Sequence, residues 1–225
     1  MKAWRKCLRT SSFGYFFCFV VAWSFSPFTS WGTARSATVQ GTVESAGRGL
    51  QGYRVSLYGS FVDHRPRWML LGSDLSNESG HFQLTYSIPK ELLEDEEPVL
   101  FLEAEHGPVM LASAIGVGTK VPAHVVVNER TTVATANAFA QFVHSQRIEG
   151  NSYGMVNAVS MAANLADPVS GEVGIVLAST PNGAETSTLP TFNSLANVVA
   201  SCVEDDSNCA KPVEPHALDQ TLSVY

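Results

Sequence analysis

Apolar and polar positions alternate along the first half of the chain and recur at three- and four-residue steps along much of the second. Thr38–Val43 alternates and predicts a first strand. The three glycines between Gly47 and Gly52 predict a turn. Tyr53–Tyr58 alternates again, with Tyr53, Val55 and Leu57 on one face. Trp68–Leu71 predicts a third strand, ended by the polar run Asp74–Gly80. In His81–Tyr86 the residues Phe82, Leu84 and Tyr86 share a face, and Val99–Glu105 is apolar on both faces in its first half. Val109–Ile115 and His124–Val127 complete the set. Seven short strands separated by turns predict an antiparallel β-sandwich over residues 37–127.

The pattern changes across Val125–Val143. Val125, Val126 and Val127 favour extended backbone because branching at Cβ suits a pleated surface. Asn128 then offers a side-chain oxygen to the orphan amides of a helix start, and Glu129 places an anion in the first turn. Val133, Ala136, Phe139, Ala140 and Val143 recur at helical spacing, and the alanines between them keep the helix thin enough to lie close to a sheet. The polar knot Asn128, Glu129, Arg130, Thr131 and Thr132 reads either as a buried cap network or as a polar site.

Beyond it, Tyr153–Leu165 predicts a helix stopped by Asp167-Pro168, with Met155 and Met161 as core filling. Val169–Thr188 predicts a hairpin around Pro181-Asn182-Gly183, with Val173, Ile175 and Leu177 on one strand. Thr191–Val203 predicts a second helix capped by Thr191. The fold class expected is therefore mainly β then α: a seven-stranded antiparallel sandwich followed by a small helical region over residues 128–225.

Composition adds a destination. Lys2, Arg5, Lys6 and Arg9 precede an aromatic-rich apolar run, Phe13–Phe25, ended by Pro27 and followed by small residues. This predicts a signal peptide over residues 1–36, and hence an exported chain in the periplasm, at the cell surface or secreted. The run is shorter than the roughly 20 residues of a comfortable span; an uncleaved anchor is the alternative reading. Cleavage removes five positive charges and no negative ones, taking the net charge from −7 to −12. Such a chain is repelled by nucleic acid and by anionic membrane surfaces, and no later segment is suited to stable membrane insertion.

Export also frames the cysteines. Cys202 and Cys209 remain after cleavage, with six residues between them, and in an oxidising compartment they are expected to close a disulfide that staples a helix end. Half a metal site is the alternative, but histidines at zinc spacing are missing from their neighbourhood.

Candidate chemistry is sparse. There is no Gly-x-Ser-x-Gly, no His-Glu-x-x-His and no cysteine placed as a nucleophile. Catalytic, cofactor-binding and metal-ligating residues are accordingly assigned to none of the side chains, and no cofactor is expected. Glu103 and Glu105 share a strand face with His106 next, readable as an acid–base or metal site or as a solvated face. Asp63–Arg67 and the acidic Leu92–Pro98 are expected as presented loops, with Phe61 and Trp68 as contact residues or, equally, as core.

Two groups of motifs carry a family resemblance. Gly41-x-Val43, Gly49-x-x-Gly52-Tyr53-x-Val55-x-Leu57-Tyr58 and Ser79-Gly80-x-Phe82-x-Leu84 resemble the transthyretin-like, carboxypeptidase-regulatory-like β-sandwich family. Asn128-Glu129-x-Thr131-Thr132-Val133-Ala134, Asp167-Pro168 with Gly171, Asn193–Asn197 and the Cys202/Cys209 pair resemble a region of large secreted bacterial proteins that follows such a module. Some relatives of the β module form an internal Lys–Asn isopeptide bond; without a lysine in its first two strands, this chain is expected to form none. The resemblance implies a fold and no chemistry. It implies an exported, non-catalytic binding or assembly module with a protein or glycan partner. The alternatives are the N-terminal remnant of a longer repeat protein and an accessory domain of an extracellular hydrolase.

Overall fold

A computed structural model describes residues 35–61, 67–88, 97–145 and 147–209. The leader, the loop residues 62–66, most of the acidic loop and the tail from Lys211, with His216, lie outside the described residues.

Among the described residues, ten strands form two four-stranded sheets and one short ribbon. The first sheet contains β1 (Arg35–Ser45), β2 (Arg48–Gly49), β5 (His81–Ile88) and β8 (His124–Val127). The second runs in the order β4 (Trp68–Leu75), β3 (Arg54–Ser60), β6 (Val99–His106) and β7 (Val109–Val117). Each of the seven stretches expected as a strand carries one, but the two sheets hold eight strands and not seven, with β2 added where only a turn is expected. β9 (Val143–His144) and β10 (Arg147–Ile148) make the ribbon.

The expectation of a wholly antiparallel arrangement is corrected by β8. It pairs with β1 in parallel, Gln40 opposite His124 and Val43 opposite Val127. Period-two patterning carries no information on strand direction. Here the link after β7 crosses to the other sheet instead of turning back as a hairpin. Gly41 makes the pairing possible: a Cβ there would meet the Val125 carbonyl and the Phe82 ring.

The inner faces of the two sheets share one core. Val39, Val43, Phe82, Leu84, Val125 and Val127 from the first meet Val55, Leu57, Leu100, Leu102 and Leu111 from the second. The alternation read from sequence holds here: Tyr53, Val55, Leu57, Phe82, Leu84, Leu100 and Leu102 are all buried. Val99–Leu102 is buried on both faces because a second core lies behind the second sheet.

That second core is made by helices. α1 (Glu129–Phe139) continues directly from β8 and lies against β7. Its Ala138 and Phe139 join Val99, Phe101 and Ala114 of the sheet and Met155, Ala158 and Ala162 of α2 (Ser152–Leu165). Its other flank, Val133 and Ala134, packs with Leu177 of α3 (Ile175–Ala178) and with Phe192 and Ala196 of α4 (Thr188–Glu204). α1 is thus buried on two sides, which explains its small residues.

Several local expectations change. α1 ends before Val143, which joins the ribbon after a 3-10 turn at Ala140–Phe142. The expected hairpin over Val169–Thr188 is the short helix α3 flanked by turns; only Val173 forms a bridge, to Ala166. Ile175 is 79% exposed while Leu177 is buried, a pattern the strand reading would have put on one face. α4 begins at Thr188 with Ser187 as its N-cap, not at Thr191, because Pro190 is tolerated within a first turn. Met155 fills the core as expected, but Met161 is exposed.

Candidate functional site

The polar knot at the start of α1 is where the sequence motifs converge. Asn128 adopts an extended backbone and its Oδ1 accepts from the amides of Arg130 and Thr131, each at 3.0 Å. Thr131 Oγ1 accepts in turn from the Asn128 amide at 2.9 Å, completing a reciprocal cap. Asn128 Nδ2 donates to the Gly171 carbonyl at 3.0 Å and to Glu44 Oε1 at 3.3 Å. The Val126 amide donates to the Pro168 carbonyl at 2.8 Å. Arg130 pairs with Glu172 at 2.7 Å on the surface. The loop Asp167–Glu172 is therefore strapped over the β8–α1 junction.

Gly171 shows how close the approach is. Its φ is +71°, and a Cβ there would stand 2.5 Å from Asn128 Nδ2. Only glycine takes that backbone without strain and leaves the room.

The threonines have a second task. Thr132 Oγ1 accepts from the Ala112 amide, and Thr135 Oγ1 from the Ala114 amide, both at 2.9 Å. Thr131 Oγ1 also donates to the Ala112 carbonyl at 3.0 Å. These are backbone groups of β7, one of the two edge strands of the second sheet. An exposed edge is a template for uncontrolled pairing, and helix side chains cover this one. Thr132 and Thr135 are the part of the network that helical periodicity alone does not reveal; Thr135 has no signal in the sequence beyond its place one turn after Thr131.

Of the two readings of the knot, the cap network accounts for Asn128, Thr131 and Thr132. Glu129 is buried; its Oε1 accepts from the Ala46 amide at 3.4 Å, while Oε2 has no hydrogen-bond partner among the described residues.

The second polar group lies on the outer face of the second sheet. Glu103 sits opposite Ser56 of β3 and Ala112 of β7, and Glu105 opposite Arg54 and Met110. Glu105 and His106 are exposed, as a solvated face requires, while Glu103 is half-buried; burial followed by the nearby Glu105 charge raises its carboxyl to about 7. Burial also raises the Tyr58 phenol, and the charges of Glu103 and Glu105 add to that, while a hydrogen bond with Ser56 opposes it. His106 does not join the two acids: its ring stacks on Tyr53, with centroids 5.1 Å apart.

Phe61 and Trp68 part company. Phe61 is 1% exposed and belongs to the inner core, so it is not a contact residue. Trp68 is half-buried on the outer face, its ring 4.8 Å from Tyr58 and 4.5 Å from Phe101.

Cys202, near the end of α4, and Cys209, just after the 3-10 turn Asp206–Asn208, stand 2.7 Å apart. That is adjacent but longer than the roughly 2.05 Å of a disulfide. The expected staple is thus present as proximity and not as a bond. Asn208 Nδ2 donates to the Ser201 carbonyl at 3.1 Å and holds the turn against the helix end.

Among the described residues, no helix is long and apolar enough to cross a membrane. Eight of the eleven large apolar side chains that are exposed among the described residues lie between Tyr153 and Val198, on or between α2, α3 and α4. No lysine or arginine occurs between Arg147 and Lys211.

No protein-family model matches the chain, and no curated protein matches it. Among solved structures, it is similar over 31% of its length to a 9R-lipoxygenase from Cyanothece PCC8801, with 17% identity and a TM-score of 0.25. It spans a tenth (10%) of that enzyme. Over 41% of its length it is similar to an alternative pilotin from the type II secretion system of Vibrio cholerae, with 12% identity, a TM-score of 0.29 and 94% of that chain covered. Both likenesses are too slight to bear on fold or function.

Proposed function

We propose that this chain is an exported, non-catalytic binding or assembly module. On this reading the β part is a transthyretin-like sandwich and the helical region is its appendage, stapled by a Cys202–Cys209 disulfide in an oxidising compartment. The observation that carries it is how the motif residues are employed. Asn128, Thr131 and Thr132 are consumed in fastening helix to sheet, while Tyr153 (85% exposed), Ile175, Val176 and Val198 are left in solvent. Exposed apolar side chains, where they form one patch, are characteristic of surfaces that meet another protein. Their near-uncharged setting fits the charge depletion of interface cores.

A photo-crosslinker at Ile175 is expected to give one discrete adduct in the producing cells, and one at Asn77, exposed in the β4–β5 turn, none. No adduct at Ile175, or turnover of a substrate by the purified chain, would overturn the reading. Intact mass of the native protein tests export separately: the expected species begins at residue 35 or 37 and gains about two daltons on reduction. A species retaining residues 1–34 would refute cleavage.

A further inference from the structure

Of the ten asparagines in the chain, Asn77 alone is followed two residues later by serine or threonine, in Asn77-Glu78-Ser79. The link from β4 to β5 crosses from one sheet to the other and carries this triplet at its tip. Its base is anchored in the fold. The buried Ser76 donates its hydroxyl to the Leu50 carbonyl at 2.6 Å and accepts from the Tyr53 amide at 2.9 Å. Gly80 is buried with φ at +79°, and a Cβ there would meet the Val43 carbonyl and the backbone of Gly49. Between these two anchors Asn77, Glu78 and Ser79 are all exposed.

The turn also orients the Asn77 side chain. Its Oδ1 accepts from the amides of Ser79 at 2.9 Å and His81 at 3.0 Å. The backbone closes the same turn, with the Asn77 amide donating to the His81 carbonyl and the Gly80 amide to the Asn77 carbonyl, both at 2.9 Å. With Oδ1 held against the turn, Nδ2 on the other side of the same carbon is directed away from it. Neither Nδ2 nor the Ser79 hydroxyl has a hydrogen-bond partner among the described residues. Turn formation accounts for Oδ1, because asparagine readily bonds the amide two residues on. It makes no use of Nδ2 or of the Ser79 hydroxyl.

We propose that Asn77 is a site of N-linked glycosylation. This rests on the reading of the chain as exported, and it concerns a surface apart from the exposed side chains of α2, α3 and α4. An asparagine with a hydroxyl two residues on is the pair a glycosyl transferase reads in an exposed loop. The donor is a glycosyl diphosphate. Nδ2 bonds to the anomeric carbon, the bond from that carbon to the diphosphate oxygen breaks, and its electron pair leaves on the diphosphate. The proton lost from Nδ2 passes to a base of the transferase, and nothing is oxidised or reduced. The tip packs against nothing that a sugar would displace, and a glycan there adds a bulky, solubilising group beyond the ends of both sheets.

The test is mass spectrometry of the native protein from its producing cells after digestion with trypsin. The peptide Trp68–Lys90, which follows Arg67 and ends on the next lysine, contains Asn77 and no other asparagine. It is expected to be heavier by a whole number of sugar residues, with fragmentation placing the increment on Asn77. In the same cells Asn77→Gln and Ser79→Ala are each expected to lose the increment completely, and Ser79→Thr to keep it. Ser79→Ala retains Asn77 and every hydrogen bond of the turn, so its loss reports recognition of the hydroxyl and not a change of fold; an unchanged urea midpoint checks this. A peptide of unmodified mass, an increment on another residue, or one that survives Ser79→Ala would overturn the proposal. An unmodified peptide from a chain that begins at residue 35 or 37 overturns the site and leaves export standing. An unmodified peptide from a chain that retains residues 1–34 overturns both.

Discussion

Replacing Glu103 by glutamine tests the electrostatics of the outer face of the second sheet directly. In the folded chain, burial and the Glu105 charge lift this carboxyl from an ordinary 4.5 to about 7. Below pH 4.5 the group is protonated in both folded and unfolded chains and its titration costs nothing. Between 4.5 and 7 the unfolded chain releases the proton and the folded chain keeps it. Stability therefore falls as pH rises through that window, by about 1.4 kcal/mol per pH unit at most. The full shift corresponds to about 3 kcal/mol above pH 7, and residual solvation of the head group lowers this toward ~2 kcal/mol. Glutamine has the same shape and no charge, so it removes the penalty. Urea unfolding of wild type and Glu103→Gln should give equal stabilities at pH 4.5 and a variant more stable by about 2–3 kcal/mol at pH 8. The Tyr58 phenol should titrate at lower pH in the variant, followed by tyrosinate absorbance, because one of the charges raising it is gone. A stability difference independent of pH, or a variant less stable at pH 8, would refute the assignment.

Asn128→Ala removes a cap and leaves the buried Gly171 carbonyl without its donor, so a loss of about 2–3 kcal/mol is expected in urea unfolding. Asn128→Asp keeps the cap acceptor but loses the donor and sets a charge near Glu44; a loss at pH 7 as large as that of alanine would show that the strap, not the cap, dominates. Thr135→Val should cost about 1–2 kcal/mol and speed exchange of the Ala114 amide specifically, and unchanged exchange would remove the edge-covering role. Oxidation of the cysteine pair should stabilise by roughly 2–3 kcal/mol for so short a loop, an increment abolished by reductant and absent in Cys202→Ala.

Much of the β part was legible because burial on one face leaves a period of two. Val55 and Leu57, or Phe82 and Leu84, show their inward side without reference to any other segment. Asn128 as a cap was equally local, since the chemistry of a helix start involves only the next three residues. Sequence by itself could not give the direction of β8, which depends on where the chain re-enters the sheet and not on its pattern. Nor could it place Ile175 outside and Leu177 inside, because a short helix and a short strand share the same apolar letters. The joining of Asn128 to Gly171, of Thr135 to Ala114, and of Glu103 to Ser56 and Tyr58 belonged wholly to the tertiary structure. Each joins segments far apart in sequence, and their meeting is set by how the sheets and helices pack, a global balance of buried surface that no local stretch encodes.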